Sequence, residues 1–166
     1  KPIVAAHGAA FIVNDRVDLV LPLDVDGVHL GQEDMPLAEA RALLGSERIV
    51  GISCHDSRHL AMEAGEAGAD YVAFGAYFPT TSKSPEKLAK YGTPSPDLLP
   101  WWSAHTTVPS VAIGGLTPEN CGPLVTQGAD FIAAIQAVWN HPQGPAQAVR
   151  EFNQAMKQGL KARDNG

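Results

Sequence analysis

Two aspartates, a lysine, several hydroxyls and a pair of glycines carry most of the chemistry this sequence offers. Asp15 and Asp34 each follow a short apolar run. Carboxylate oxygens in that setting suit Mg²⁺, with waters and substrate phosphates completing its shell. Aspartates at strand ends are equally used as helix caps, and Asp34 stands just ahead of Pro36 in that way. Thr80, Thr81, Ser82 and Lys83 place three hydroxyls and an ammonium in four consecutive positions. Such a set can clamp phosphate oxygens and offset charge on a leaving group, and a plain polar loop has the same composition. Gly114 and Gly115, ahead of Thr117, would let backbone amides approach a second phosphate near a helix start. A tight strand-to-helix turn asks for the same two glycines. His55 either orients a ligand, moves a proton, or is a structural hydrogen-bonded histidine. His29 lies inside an apolar run and reads as core. The sequence contains no convincing Ser-His-Asp set.

Positioning these residues takes a repeated βα pattern. Continuous apolar runs over 10–13, 28–30, 49–53, 71–78, 110–113 and 131–138 read as strands covered on both faces. Helical patterns fall between and after them, over 36–44, 57–67, 95–105, 117–127 and 145–156, with a short helix over 16–23. Asn14, Asp15, Asp34, Ser53, His55, Thr80, Gly114 and Gly115 then all sit just at or after strand ends. Gln136 lies within the sixth run. Gly68-Ala69-Asp70 and Gly128-Ala129-Asp130 repeat as turns into strands, with Asp26 in a looser third copy.

Such a chain predicts a parallel α/β architecture with right-handed crossovers. A doubly wound sheet would carry a glycine-rich phosphate turn after its first strand, and no GxGxxG occurs. Late glycine pairs suit the phosphate site of a (β/α)8 TIM barrel. One barrel domain over 1–166 is expected, with about six βα units present and the first two preceding Lys1.

The apolar content is 45%, enough for a real core, and the formal charge is -6. The 12 basic residues build no patch, which argues against nucleic acid as a partner. No apolar run approaches the ~20 residues a bilayer crossing requires, and the first residues lack a signal-peptide layout. A cytoplasmic protein with no membrane partner is expected, its cysteines reduced and without chemical role. Homo-oligomer formation stays open.

Taken together, the motifs resemble those of thiamine-phosphate synthase. The matching stretches are Asn14-Asp15-Arg16-Val17-Asp18, Gly27-Val28-His29-Leu30-Gly31-Gln32-Glu33-Asp34-Met35, Gly51-Ile52-Ser53-Cys54-His55, Phe78-Pro79-Thr80 with Lys83, and Ala112-Ile113-Gly114-Gly115 with Thr117-Pro118-Glu119-Asn120. The resemblance implies a Mg²⁺-dependent transferase on a (β/α)8 barrel, joining a pyrimidine methyl diphosphate to a thiazole phosphate with release of pyrophosphate. It implies that Asp15 and Asp34 hold Mg²⁺, and that Asn14 and Lys83 contact the diphosphate, with Thr80 and Ser82 nearby. Ser53 would face the leaving group or the pyrimidine, with Lys83 and Ser53 the catalytic pair. Gly114 or Gly115 would receive the thiazole phosphate. Gln136 stands where the family carries a serine, so its contact with that phosphate is altered. A related thiazole tautomerase using His55, or a non-catalytic barrel that binds phosphorylated ligands, are the alternatives.

Overall fold

The computed structural model describes residues 1–81 and 85–165. The chain divides into two compact units, Lys1–Cys54 with His59–Val72, and His55–Arg58 with Ala73–Gly166. The first carries α1 (Pro2–Ala6), β1 (Ile12–Asn14), a 3-10 turn (Val17–Leu19), β2 (Gly27–Leu30), α2 (Leu37–Leu44), β3 (Ile49–His55), α3 (Arg58–Glu66) and the start of β4 (Tyr71–Phe74). The second carries α4 (Pro85–Lys90), α5 (Leu98–His105), β5 (Ser110–Ile113), α6 (Pro118–Thr126), β6 (Phe131–Ala133), α7 (Gln136–Trp139) and α8 (Pro145–Asp164).

The six strands neighbour one another in simple chain order, β1 to β6. β1 pairs with β2, β2 with β3, and β5 with β6, all parallel. A doubly wound sheet reverses its order at a switch point. Sequential order without reversal is that of a (β/α) barrel, and six βα units are present here.

The repeated aspartates explain how several strands are started. Asp26 Oδ2 accepts the Phe11 N–H at 2.6 Å, while the Asp26 N–H donates to Phe11 O at 3.1 Å. Asp70 does the same with Val50, at 2.7 and 2.9 Å. Asp130 repeats it with Ser110, at 2.8 and 3.2 Å. Each carboxylate satisfies an amide near the start of the preceding strand that would otherwise lack a ladder partner. The looser third copy thus performs the same task as the two clear ones.

Each unit has its own core. In the first, Val20, Val25, Val28, Leu30, Ala40, Val50, Ala61 and Val72 are buried. In the second, Phe74 meets Trp102 edge-on, with ring centroids 5.5 Å apart, beside buried Leu98, Leu99, Leu124, Val125 and Phe152. Gly122 and Gly159 let α6 and α8 approach closely: a Cβ on Gly159 would sit 2.5 Å from Gly122 O.

Several boundaries differ from the sequence expectation. β3 continues through Cys54 to His55. β4 ends at Phe74, although the Tyr77 and Phe78 amides still donate to Ile113 O and Gly114 O. The run 131–138 splits into β6 and α7, so Gln136 opens a short helix instead of lying in a strand. Short apolar runs do not distinguish strand from helix by periodicity, which is why that assignment failed. The expected helix over 16–23 is only a 3-10 turn. α8 runs on to Asp164, because Ala148, Phe152 and Gly159 keep burying one face. Val149 is exposed, and Ala148 takes the inner position. No described helix is long and apolar enough to cross a membrane.

Candidate active site

In the first unit the polar residues stand at the carboxyl ends of β1, β2 and β3. Asn14 ends β1 opposite His29 of β2. Asp15 follows in the left-handed region, with φ of 63°, and its N–H donates to His29 O at 2.9 Å. That conformation is unusual outside glycine, though aspartate tolerates it better than most residues. It ends the ladder and turns the chain away from the strand. Asp34 closes the turn after β2. Its Oδ2 accepts the Gly31 N–H at 2.7 Å, and a Cβ on residue 31 would meet that oxygen at 2.9 Å. Asp34 is therefore not the cap of α2; Pro36 occupies that position.

Both aspartates are exposed. Among the described residues no group of three or more His, Cys, Asp and Glu gathers to hold a metal. Two accessible carboxylates at the ends of neighbouring strands still fit Mg²⁺, which keeps several waters and binds through one or two carboxylates plus substrate phosphate.

Ser53 lies inside β3 and is buried. Its Oγ is 2.9 Å from His29 Nε2, and His29 Nδ1 is 2.9 Å from the Tyr71 hydroxyl. Gln32 Nε2 donates to the Ser53 carbonyl at 2.8 Å. His29 is thus a half-buried link in a polar chain, and not the inert core residue its place in the run suggested. The signal for it was Gly51, a glycine inside a strand and paired with His29. A Cβ there would sit 2.0 Å from the Tyr71 ring. Burial pushes the Tyr71 phenol up to about 12, so it stays protonated. Cys54, one residue on, is buried and its thiol is pushed up to about 12 by burial, so it is a poor nucleophile.

In the second unit His55 ends β3 with φ of 56° and is buried. Its ring stacks on Tyr91, centroids 3.4 Å apart and planes 2° from parallel. Tyr91 follows directly after α4. Gly114 and Gly115 adopt φ of 91° and 64°. A Cβ on Gly114 would meet Ala76 Cβ at 2.3 Å, and one on Gly115 would meet Pro79 O at 2.4 Å. The pair is therefore required both by conformation and by the close passage of the 76–79 loop. Asn120 Oδ1 accepts the Thr117 N–H at 2.8 Å, fixing the start of α6 just beyond. Thr80 is half-buried and Thr81 exposed. Gln136 donates through Nε2 to the Thr81 hydroxyl, so its amide engages this loop. The Tyr77 hydroxyl is buried without a partner among the described residues. Ser82 and Lys83 lie outside the described residues.

Within each unit polar groups stand at or beyond the carboxyl ends of parallel strands, as they do in (β/α)-barrel enzymes. Residues 1–138 match the thiamine monophosphate synthase family. The thiamine-phosphate synthase of Rhodospirillum centenum is 56% identical over 157 residues, 95% of this chain and 73% of that protein. The enzyme of the same name from Erythrobacter litoralis is 55% identical over 140 residues, 84% of this chain and 64% of that protein. The solved structure of thiamine phosphate pyrophosphorylase from Pyrococcus furiosus superposes with a TM-score of 0.83 at 33% identity, covering 96% of this chain and 73% of that one. The chain belongs to the thiamine-phosphate synthase family. It spans about two thirds to three quarters of the length of these relatives.

Proposed function

We propose that the full-length protein joins 4-amino-2-methyl-5-pyrimidinylmethyl diphosphate to thiazole phosphate, giving thiamine phosphate and pyrophosphate. The observation that carries this reading is the pair of exposed carboxylates, Asp15 and Asp34, at the ends of neighbouring strands β1 and β2. A diphosphate with its metal uses such a pair; a tautomerase has no diphosphate to hold.

In the reaction the bond between the pyrimidine methylene and the diphosphate oxygen breaks, and its electron pair leaves with pyrophosphate. The thiazole nitrogen supplies the pair for the new carbon–nitrogen bond and becomes quaternary. Mg²⁺, when bound, neutralises charge on the departing oxygens. Asp15 and Asp34 are the residues that would hold it. Asn14 offers an amide to the diphosphate, and Lys83 supplies the cation a leaving group of this charge needs. Ser53 contributes a hydroxyl from a buried, fixed position on β3. Thr80 and Ser82 supply hydroxyls near the diphosphate, and the amides of Gly114 and Gly115, close to the start of α6, receive the thiazole phosphate. Gln136 acts on that loop through Thr81, and His55 borders the ligand with its ring held by Tyr91. No protein nucleophile is needed; the residues align two reactants and exclude water from a cationic carbon.

The test is turnover by full-length protein with both substrates, with and without Mg²⁺, following thiamine phosphate and pyrophosphate together. Product is expected only with metal. Asp15→Asn and Lys83→Ala should each lower kcat/KM by about a hundredfold or more, as for other groups that stabilise developing charge. Absence of product from folded protein would reject the transferase reading in favour of tautomerase activity or ligand binding alone.

A further inference from the structure

A hydrogen-bonded line runs through the first unit from Tyr71 to His29 to Ser53, with 2.9 Å at each step. The Tyr71 and His29 rings lie nearly parallel, 14° apart with centroids at 5.6 Å, so the imidazole cannot easily swing. Gly51 makes room for the phenol ring, and the Gln32 amide holds the Ser53 carbonyl. One contact, from His29, reaches the buried Ser53 hydroxyl itself, Tyr71 holds that imidazole from its other nitrogen, and Gln32 holds the Ser53 backbone carbonyl.

We propose that Tyr71 and His29 are positioning residues that lock the Ser53 hydroxyl in one orientation, with its proton directed at an acceptor on the pyrimidine reactant. This rests on the transferase reading above. A neutral imidazole has one donor and one acceptor nitrogen. Tyr71 keeps its proton and donates it to Nδ1. Nε2 then carries the ring proton and donates to Ser53 Oγ. Because Ser53 accepts this bond, its own O–H is left to donate to a ligand. A serine without such a partner would spread over three rotamers and its hydroxyl would rotate as well. The line fixes the tautomer as outer partners of functional histidines commonly do.

The experiment uses full-length protein and two readouts. Imidazole ¹⁵N NMR should find His29 as the Nε2–H tautomer, and Tyr71→Phe should redistribute it while leaving the melting temperature close to the original. In turnover, Tyr71→Phe should lower kcat about ten- to a hundredfold with little change in KM, the scale seen when outer partners of functional ligands are removed. His29→Gln, which keeps an amide donor near Ser53, should retain more activity than His29→Leu. In a Ser53→Ala background, neither Tyr71→Phe nor His29→Leu should cost anything further, because residues acting through one group are not additive. An unchanged tautomer in Tyr71→Phe, or losses that add to that of Ser53→Ala, would overturn the proposal. If the unaltered protein makes no product, the transferase reading falls, and the tautomer measurement alone decides whether the line orients Ser53.

Discussion

The two units hold their candidate site residues by opposite means. In the first, side chains do the holding: His29 and Gln32 grip Ser53, and Asp34 grips the Gly31 amide. In the second, missing side chains do it: Gly114 and Gly115 let a loop pass where any Cβ would collide. A hydrogen-bonded group can be weakened by degrees, since a lost bond can be replaced by water or a similar donor. A steric clearance has no partial substitute when the obstructing atom is backbone.

The largest effect should therefore come from filling a clearance. Gly115→Ala puts a Cβ against Pro79 O at a φ of 64°. We expect a loss of about 3 kcal/mol, combining left-handed strain with overpacking, read from the urea midpoint. Gly51→Ala in the first unit meets a side-chain ring, which can shift. It should cost clearly less. Equal losses would mean that the contrast between units has no energetic content.

The strand-starting aspartates sharpen the comparison, because both units use them. Asp70→Ala and Asp130→Ala should each cost about 2 kcal/mol, the worth of a hydrogen bond to a charged group. Asp70 also receives the Arg41 guanidinium, whereas Asp130 receives the Ser110 hydroxyl. A larger loss for Asp70 in thermal unfolding would assign the difference to Arg41; equal losses would assign the whole effect to the shared amide bond.

The smallest effect is expected at Asp24. Its hydrogen bonds from Lys1 and Arg48 bring its carboxyl from 3.8 to about 2. The depressed value means the contribution is complete above the unfolded value near 3.8 and is lost as pH falls toward 2. Asp24→Asn should thus narrow the stability difference between pH 5 and pH 2 only slightly, since exposed pairs are worth little. A large change in acid unfolding would show that this exposed pair carries more than its surroundings allow.

The places of most candidate residues in the fold were legible before the fold was seen. Asp15, Asp34, Thr80 and the glycine pair lie beyond strand ends, where barrel chemistry belongs, while Ser53 lies inside β3, which runs on to His55. His29 was misread because a histidine in an apolar run looks the same whether it is inert or bonded at both nitrogens. Gln136 was misplaced because 131–138 is apolar enough for strand or helix, and its contact with Thr81 spans 55 residues. Tyr91 drew no notice because nothing near it in sequence announces His55.

Local patterning by itself determined the sequence of βα units, their sequential parallel sheet, the turns led by Asp26, Asp70 and Asp130, and the family. These depend on periodicity, turn chemistry and short motifs, all carried by neighbouring residues. The tertiary structure alone decided which groups touch: His29 with Tyr71 and Ser53, His55 with Tyr91, and the loop at 76–79 with Gly114 and Gly115. His29, Ser53 and Tyr71 meet through strand register, and a single step of it would turn a strand's side chains to the other face; the other contacts form only when segments distant in sequence come together.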